Sequence, residues 1–144
     1  MTRTTKTEAK GLSRRRLAVT GALGLVSLAL AAVPAHAKGD IDITAPHKAG
    51  VGKTFTVSAH GSDDAAVYQR ICLQERTAGQ AWHQVACGAT VGRDTGKDAR
   101  ATVHLKSRHH RTFEFRAVMY SLTGPHDHHP KRWRTSEVVK VQVR

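Results

Sequence analysis

The sequence predicts an all-β fold, a seven-stranded antiparallel sandwich behind a cleavable leader, on three observations. Beyond residue 37 a 3.6-residue periodicity is almost absent, two-residue alternation returns every ten to fifteen residues, and clusters of Gly, Pro, Asp and His part the alternating runs. Successive side chains of a strand point to opposite faces, so such runs bounded by turn residues indicate short, half-buried strands.

The leader comes first. Arg3, Lys6, Lys10 and the run Arg14, Arg15, Arg16 precede the apolar stretch Leu17–Val33, which ends in PAHA. A positive region, an apolar region and small residues at Ala35 and Ala37 predict a helical signal peptide over 1–37, cleaved after Ala37. The apolar run is short, holds two glycines and meets Pro34 at once, which argues against a membrane anchor. SRRRLAV, Ser13–Val19, resembles the twin-arginine export signal, with Leu17 where that pattern usually has Phe. A secreted, extracellular protein is therefore expected, exported by the twin-arginine or the general secretory route. No cysteine directly follows the apolar run, so no lipid acylation site is expected and the mature chain, 38–144, should carry no membrane span. Removing 37 of 144 residues leaves 107, enough for one small domain with a single core.

Strands follow in order. DIDIT, Asp40–Thr44, is the first and TFTVSA, Thr54–Ala59, the second; the third is Val67–Arg76 and the fourth Ala81–Val91. In the fifth, ARATVHLK, Ala101, Val103 and Leu105 alternate with Arg100, Thr102, His104 and Lys106. The sixth, TFEFRAVMY, sets Phe113, Phe115, Ala117 and Met119 on one face, and the last, Ser136–Arg144, turns Val139, Val141 and Val143 inward.

The third and fourth strands carry the only cysteines, Cys72 and Cys87. A two-residue turn at Gly79-Gln80, with Gly79 supplying the positive φ of a type II′ turn, sets Cys72 directly opposite Cys87. Opposed residues at a non-hydrogen-bonded site lie about 4.5 Å apart at Cα, within reach of a disulfide. A stapled hairpin is the expectation, and it suits an exported chain. Its buried face is left open: Ile71, Leu73 and Trp82 favour one side, whereas Tyr68, Val85 and the cystine favour the other.

IDITAPHKAGVGKTFTVSAHG, FEFRAVMY and TSEVVKVQV resemble the first, sixth and seventh strands of secreted bacterial immunoglobulin-like or fibronectin-type modules. The resemblance implies a non-enzymatic binding or structural module, at the cell envelope or outside the cell. A disulfide-stapled hairpin in a secreted sandwich of this size is also similar to the enediyne apoproteins, and that resemblance implies a small-molecule carrier as an alternative. The second cysteine pair of that family is missing here, and the charge is basic.

Beyond the leader, 17 basic residues stand against 10 acidic ones, a net +7. Such a charge attracts polyanions, so the expected partners are anionic cell-envelope polymers or another extracellular protein, with the chain itself a monomer. With aromatic content at 5%, stacking platforms for single-stranded nucleic acid are not expected, and no specific nucleic acid is assigned. GVGKT, Gly50–Thr54, ends like a phosphate-binding loop, but that motif's first glycine would fall at His47 and Thr54 opens a strand where the motif requires a helix. No G-x-S-x-G elbow, HExxH pair or carboxylate pair can be picked out, so no catalytic residue and no enzyme activity is assigned.

The densest cluster of chemistry is GPHDHHPKRW, Gly124–Trp133, read as the connection between the last two strands. In a sandwich of this topology it shares an end with HGSDDAA, so His126, His128, His129, His60 and Asp63 form a candidate metal set suited to Zn, Cu or Ni. No cofactor is otherwise expected. The competing reading is a pH-sensitive anion site of the three loop histidines with Lys131, Arg132 and Arg134, matched by a second basic tip at Arg108 and Arg111.

Overall fold

The computed structural model describes residues 39–144, and the signal peptide expected over 1–37 lies outside them. Ten strands follow in order: β1 (Gly39–Thr44), β2 (Lys48–Ala49), β3 (Thr54–Asp63), β4 (Tyr68–Thr77), β5 (His83–Cys87), β6 (Val91–Gly92), β7 (Ala99–Lys106), β8 (Arg111–Leu122), β9 (Lys131–Thr135) and β10 (Val139–Val143). Among the described residues the helical content is one 3-10 turn, Arg93–Thr95.

The strands form a sandwich-like pair of sheets, β1-β3-β7 and β2-β10-β8-β4-β5, with β6 on β4 and β9 on β8. Every pairing is antiparallel except β10 with β2, which is parallel and departs from the all-antiparallel expectation. The alternation read from the sequence fills the space between the sheets. Phe55, Val57, Ala59 and Ala101 from the smaller sheet meet Ile71, Leu73, Phe115, Ala117, Met119 and Val141 from the larger. Phe55, Phe113 and Phe115 cluster with ring centroids 5.9 to 6.2 Å apart, within the range where offset and edge contacts are favourable.

The strands depart from the expected ones in three places. First, β3 runs on to Asp63 instead of ending at Ala59. Second, the expected strand 81–91 is divided into β5 and β6. Gly88 marks the break, because a Cβ there would sit 1.6 Å from the Arg100 carbonyl oxygen of β7, so only glycine lets the chain pass. Third, the expected strand 136–144 is preceded by β9, and β9 and β10 share one edge of β8. Ser136 splices them: its NH donates to the Ala117 carbonyl at 2.9 Å, and its Oγ takes the Ala117 NH at 2.8 Å where a ladder carbonyl would otherwise stand.

The disulfide forms as expected. Cys72 and Cys87 are direct partners, 4.0 Å apart at Cα, and the neighbouring Gly88 NH to Ile71 carbonyl bond identifies a non-hydrogen-bonded site. Its turn differs from the expectation. Gln80 NH donates to the Thr77 carbonyl, which makes Ala78-Gly79 the central pair, and Gly79, with φ of 80°, takes the third position of a type II pattern.

The register also slips inside the hairpin. Leu73 pairs with Ala86 but Gln74 pairs with Gln84, so Val85 is an extra residue at a β-bulge. A one-residue slip moves every later side chain to the other face. Val85 therefore packs with the core alongside Ile71 and Leu73, whereas Trp82 crosses to the outer face of the sheet. The cystine lies on that outer face too, since Cys72 alternates with the core residues Ile71 and Leu73.

Candidate anion-binding face

The histidine-rich segment connects β8 to β9, and its three histidines, His126, His128 and His129, are exposed. The loop is organised by its carboxylate. Asp127 accepts from Thr123 NH and Oγ at 2.9 Å each and from His129 NH at 2.7 Å, and these hydrogen bonds bring its pKa down to about 2.

His60 and Asp63 do not join this loop as a set. Because β3 continues through both, and they are three residues apart, alternation sends them to opposite faces. His60 is exposed on the outer face of the smaller sheet, its Nε2 3.8 Å from Asp42. Asp63 is buried, and its carboxylate is committed elsewhere: Oδ1 accepts from Ala65 NH at 2.9 Å, while Oδ2 accepts from Trp133 Nε1 at 2.8 Å and Arg134 Nε at 2.5 Å. Burial by itself pushes this pKa up. The hydrogen bonds from Ala65, Trp133 and Arg134, with the Arg134 charge, outweigh it and hold the pKa below its ordinary value. The five proposed metal ligands thus form no single centre, and among the described residues no three His, Cys, Asp or Glu side chains are grouped to hold a metal ion.

The expected anion residues are also separated. Arg134 is spent on Asp63. Arg108 and Arg111 lie at the other end of β8, where the Arg111 guanidinium is 5.7 Å from the Phe113 ring centre. Lys131 and Arg132 begin β9, and Arg132 pairs in register with Tyr120.

The register of the larger sheet assembles a different site around Arg132. On the outer face the β4–β8 pairs are Arg76 with Glu114, Gln74 with Arg116, Cys72 with Val118 and Arg70 with Tyr120. On β10, Lys140 stands opposite Glu114 and completes a row with Arg76. Glu114 accepts from Arg76 Nε at 2.6 Å and lies 3.2 Å from Lys140 Nζ, and these contacts hold its pKa below the usual range. Arg116 Nε donates to Gln74 Oε1 at 2.9 Å.

Trp82 completes the arrangement. Its ring lies 4.4 Å from the Arg76 guanidinium carbon and 4.2 Å from that of Arg116. The indole takes the place of a counter-charge, since its π-face attracts cations. Each guanidinium has five N–H donors, of which the bond to Glu114 or Gln74 uses the one on Nε. Glu114 offsets only part of the positive charge of Arg76, Lys140, Arg116 and Arg132. Burial, then the nearby charges of Arg132 and Arg76, lower the Arg116 pKa, yet an arginine remains charged at any ordinary pH.

Below these groups the face has a firm floor. Cys72 and Val118 are fully buried although they point away from the main core, and the disulfide ties the floor to β5. The result is a set of braced guanidiniums on a rigid sheet, the arrangement that fits the forked geometry of phosphate and carboxylate. Pockets among the described residues lie elsewhere. One of about 120 Å³ is lined in part by Asp63, Gln69, Arg93 and Lys97, and one of about 420 Å³ by Val91, Gly96, Lys97, Asp98 and Arg100.

Sequence reasoning missed Arg70, Arg76, Arg116 and Trp82. A usable signal was present in the conflict between Val85 and Trp82 over which hairpin face is buried, because one bulged residue resolves it. No family model matches the chain, and no curated protein does.

Proposed function

We propose that this protein is a secreted, non-enzymatic immunoglobulin-like module that binds anionic polymers of the cell envelope or the extracellular space. The observation that carries the reading is the outer face of the larger sheet, where Arg76 and Arg116 converge on Trp82 with Arg132 and Lys140 nearby and Glu114 between them. The division of the strands supports the immunoglobulin-like assignment. The first, third and seventh share one sheet while the fourth, eighth and tenth share the other, as strands A, B and E oppose C, F and G in such sandwiches. The leader pattern over 1–37 and the disulfide support an exported, oxidising location.

Binding of the purified protein to an immobilised polyphosphate tests the reading. Replacing Arg76 and Arg116 together by Gln should weaken binding by roughly tenfold or more, the equivalent of about 1.4 kcal/mol. A control variant with Lys53 and Arg108 replaced by Gln loses the same charge from exposed sites elsewhere and should change binding by less than about twofold. Equal losses in the two variants would reduce the interaction to bulk charge and overturn the proposal.

A further inference from the structure

Resting on the anion-binding reading, we infer that the face is a linear track along β8 that recognises an extended phosphate polymer by the spacing of its charges. The sheet register lays the cationic groups out in order. Arg76 flanks β8 at Glu114, Arg116 comes two residues on, and Arg70 and Arg132 flank Tyr120 four residues beyond that. From Glu114 to Tyr120 is six residues, roughly 20 Å at about 3.4 Å per residue. Between the ends lies the row of Cys72, Val118 and Thr135, which carries no charge. A compact anion therefore reaches only part of the track, and only a chain reaches from Arg76 to Arg70.

Two features select phosphate chains over sugars or bases. Two guanidiniums lie over the Trp82 ring, so the area they cover is not open to stack on a sugar or a base. The donors that remain are planar forks, which pair bidentately with phosphate oxygens. Arg70 adds to this end a guanidinium whose Nε is buried without a hydrogen-bond partner among the described residues.

The test is a titration of the protein with inorganic polyphosphate of graded length, from triphosphate to chains longer than the track, at fixed salt. Affinity should climb steeply until the chain spans about 20 Å and then level off. Arg132→Gln, at an exposed position, should lower long-chain affinity about tenfold while leaving triphosphate binding within about twofold. Arg116→Gln should weaken both, and the slope of log affinity against log salt should fall by about 0.7 for each contact removed. Unchanged thermal melting of both variants confirms that the fold is intact. Binding through Arg116 with no dependence on length, or with Arg132→Gln affecting short and long chains alike, would overturn the track and leave the module reading standing. Tighter binding of a uronic or sulfated glycan of equal length would overturn the preference for phosphate. Absence of any polyanion binding would remove both.

Discussion

Replacing Asp63 by Asn should unfold the protein at markedly lower denaturant, and the size of the effect can be worked from its contacts. The side chain is 1% exposed, and Oδ2 receives hydrogen bonds from Trp133 and Arg134. An Asn that keeps its oxygen on Ala65 NH turns an amide NH₂ toward two donors; one that flips loses Ala65 and still carries no charge. Two hydrogen bonds to a charged group contribute on the order of 1.5–3 kcal/mol each. The Arg134 side chain is 35% exposed and Trp133 is 48% exposed, so both recover part of their hydration when released. The expected cost is therefore about 2–3 kcal/mol, at the lower end of the range for breaking a buried ion pair. Urea denaturation followed by far-ultraviolet circular dichroism measures it. The pH dependence adds a sign. The folded pKa of Asp63 lies below its ordinary 3.8, so its stabilisation is complete above that value and is lost as pH falls through the folded pKa. The difference between wild type and Asp63→Asn should accordingly be full at neutral pH and shrink in strong acid. A neutral-pH cost below about 0.5 kcal/mol, or one that persists undiminished in acid, would refute the reasoning.

Reduction of the disulfide under native conditions should cost about 3 kcal/mol, since a closed loop of 15 residues has that entropic value in the unfolded chain, and urea melts with and without reductant report it. Gly88→Ala drives a Cβ into the Arg100 carbonyl and should destabilise by about 1–3 kcal/mol or more, read as a fall in melting temperature; an unchanged midpoint would mean that β5 and β7 separate freely. Glu75 behaves in the opposite sense to Asp63. Burial raises its pKa against the opposing charges of His83 and Arg111, and its Oε2 has no hydrogen-bond partner among the described residues. The wild type should gain stability from this group as pH falls from neutral through the raised pKa, and Glu75→Gln should be neutral to stabilising at pH 7, whereas a clear loss would reveal a hidden partner.

The core was legible in the sequence because alternation is a property of single strands. Val57, Ala101, Phe115, Met119 and Val141 take the faces that their spacing indicates, and Cys72 faces Cys87 although the turn and the register between it and Leu73 depart from simple two-residue counting. What was not legible depends on parity, which one inserted residue reverses. Val85 does this on β5 and carries Trp82 to the outer face. Trp133 is a second such residue: Met119 pairs with Arg134 and Tyr120 with Arg132, which leaves Trp133 outside the ladder with its indole on Asp63. Asp63 was misjudged for a related reason. SDD reads as a turn, yet β3 continues through it because Gln69, Trp133 and Arg134 satisfy the polar atoms that would otherwise require solvent. Arg76 and Arg116 are 40 positions apart in the chain and look like ordinary surface residues of their strands until the register places them diagonally across the β4–β8 ladder.

The most direct measurement of the central claim uses the two tryptophans, which lie on different surfaces and report separately. In a nuclear magnetic resonance titration with polyphosphate, the Trp82 indole NH and the Arg76 and Arg116 Nε–H signals should shift together and saturate at one affinity. The Trp133 indole NH, held by Asp63, should move little. Shifts confined to the 107–110 turn or to the histidine loop at 123–130, with Trp82 still, would contradict the assignment of the binding face.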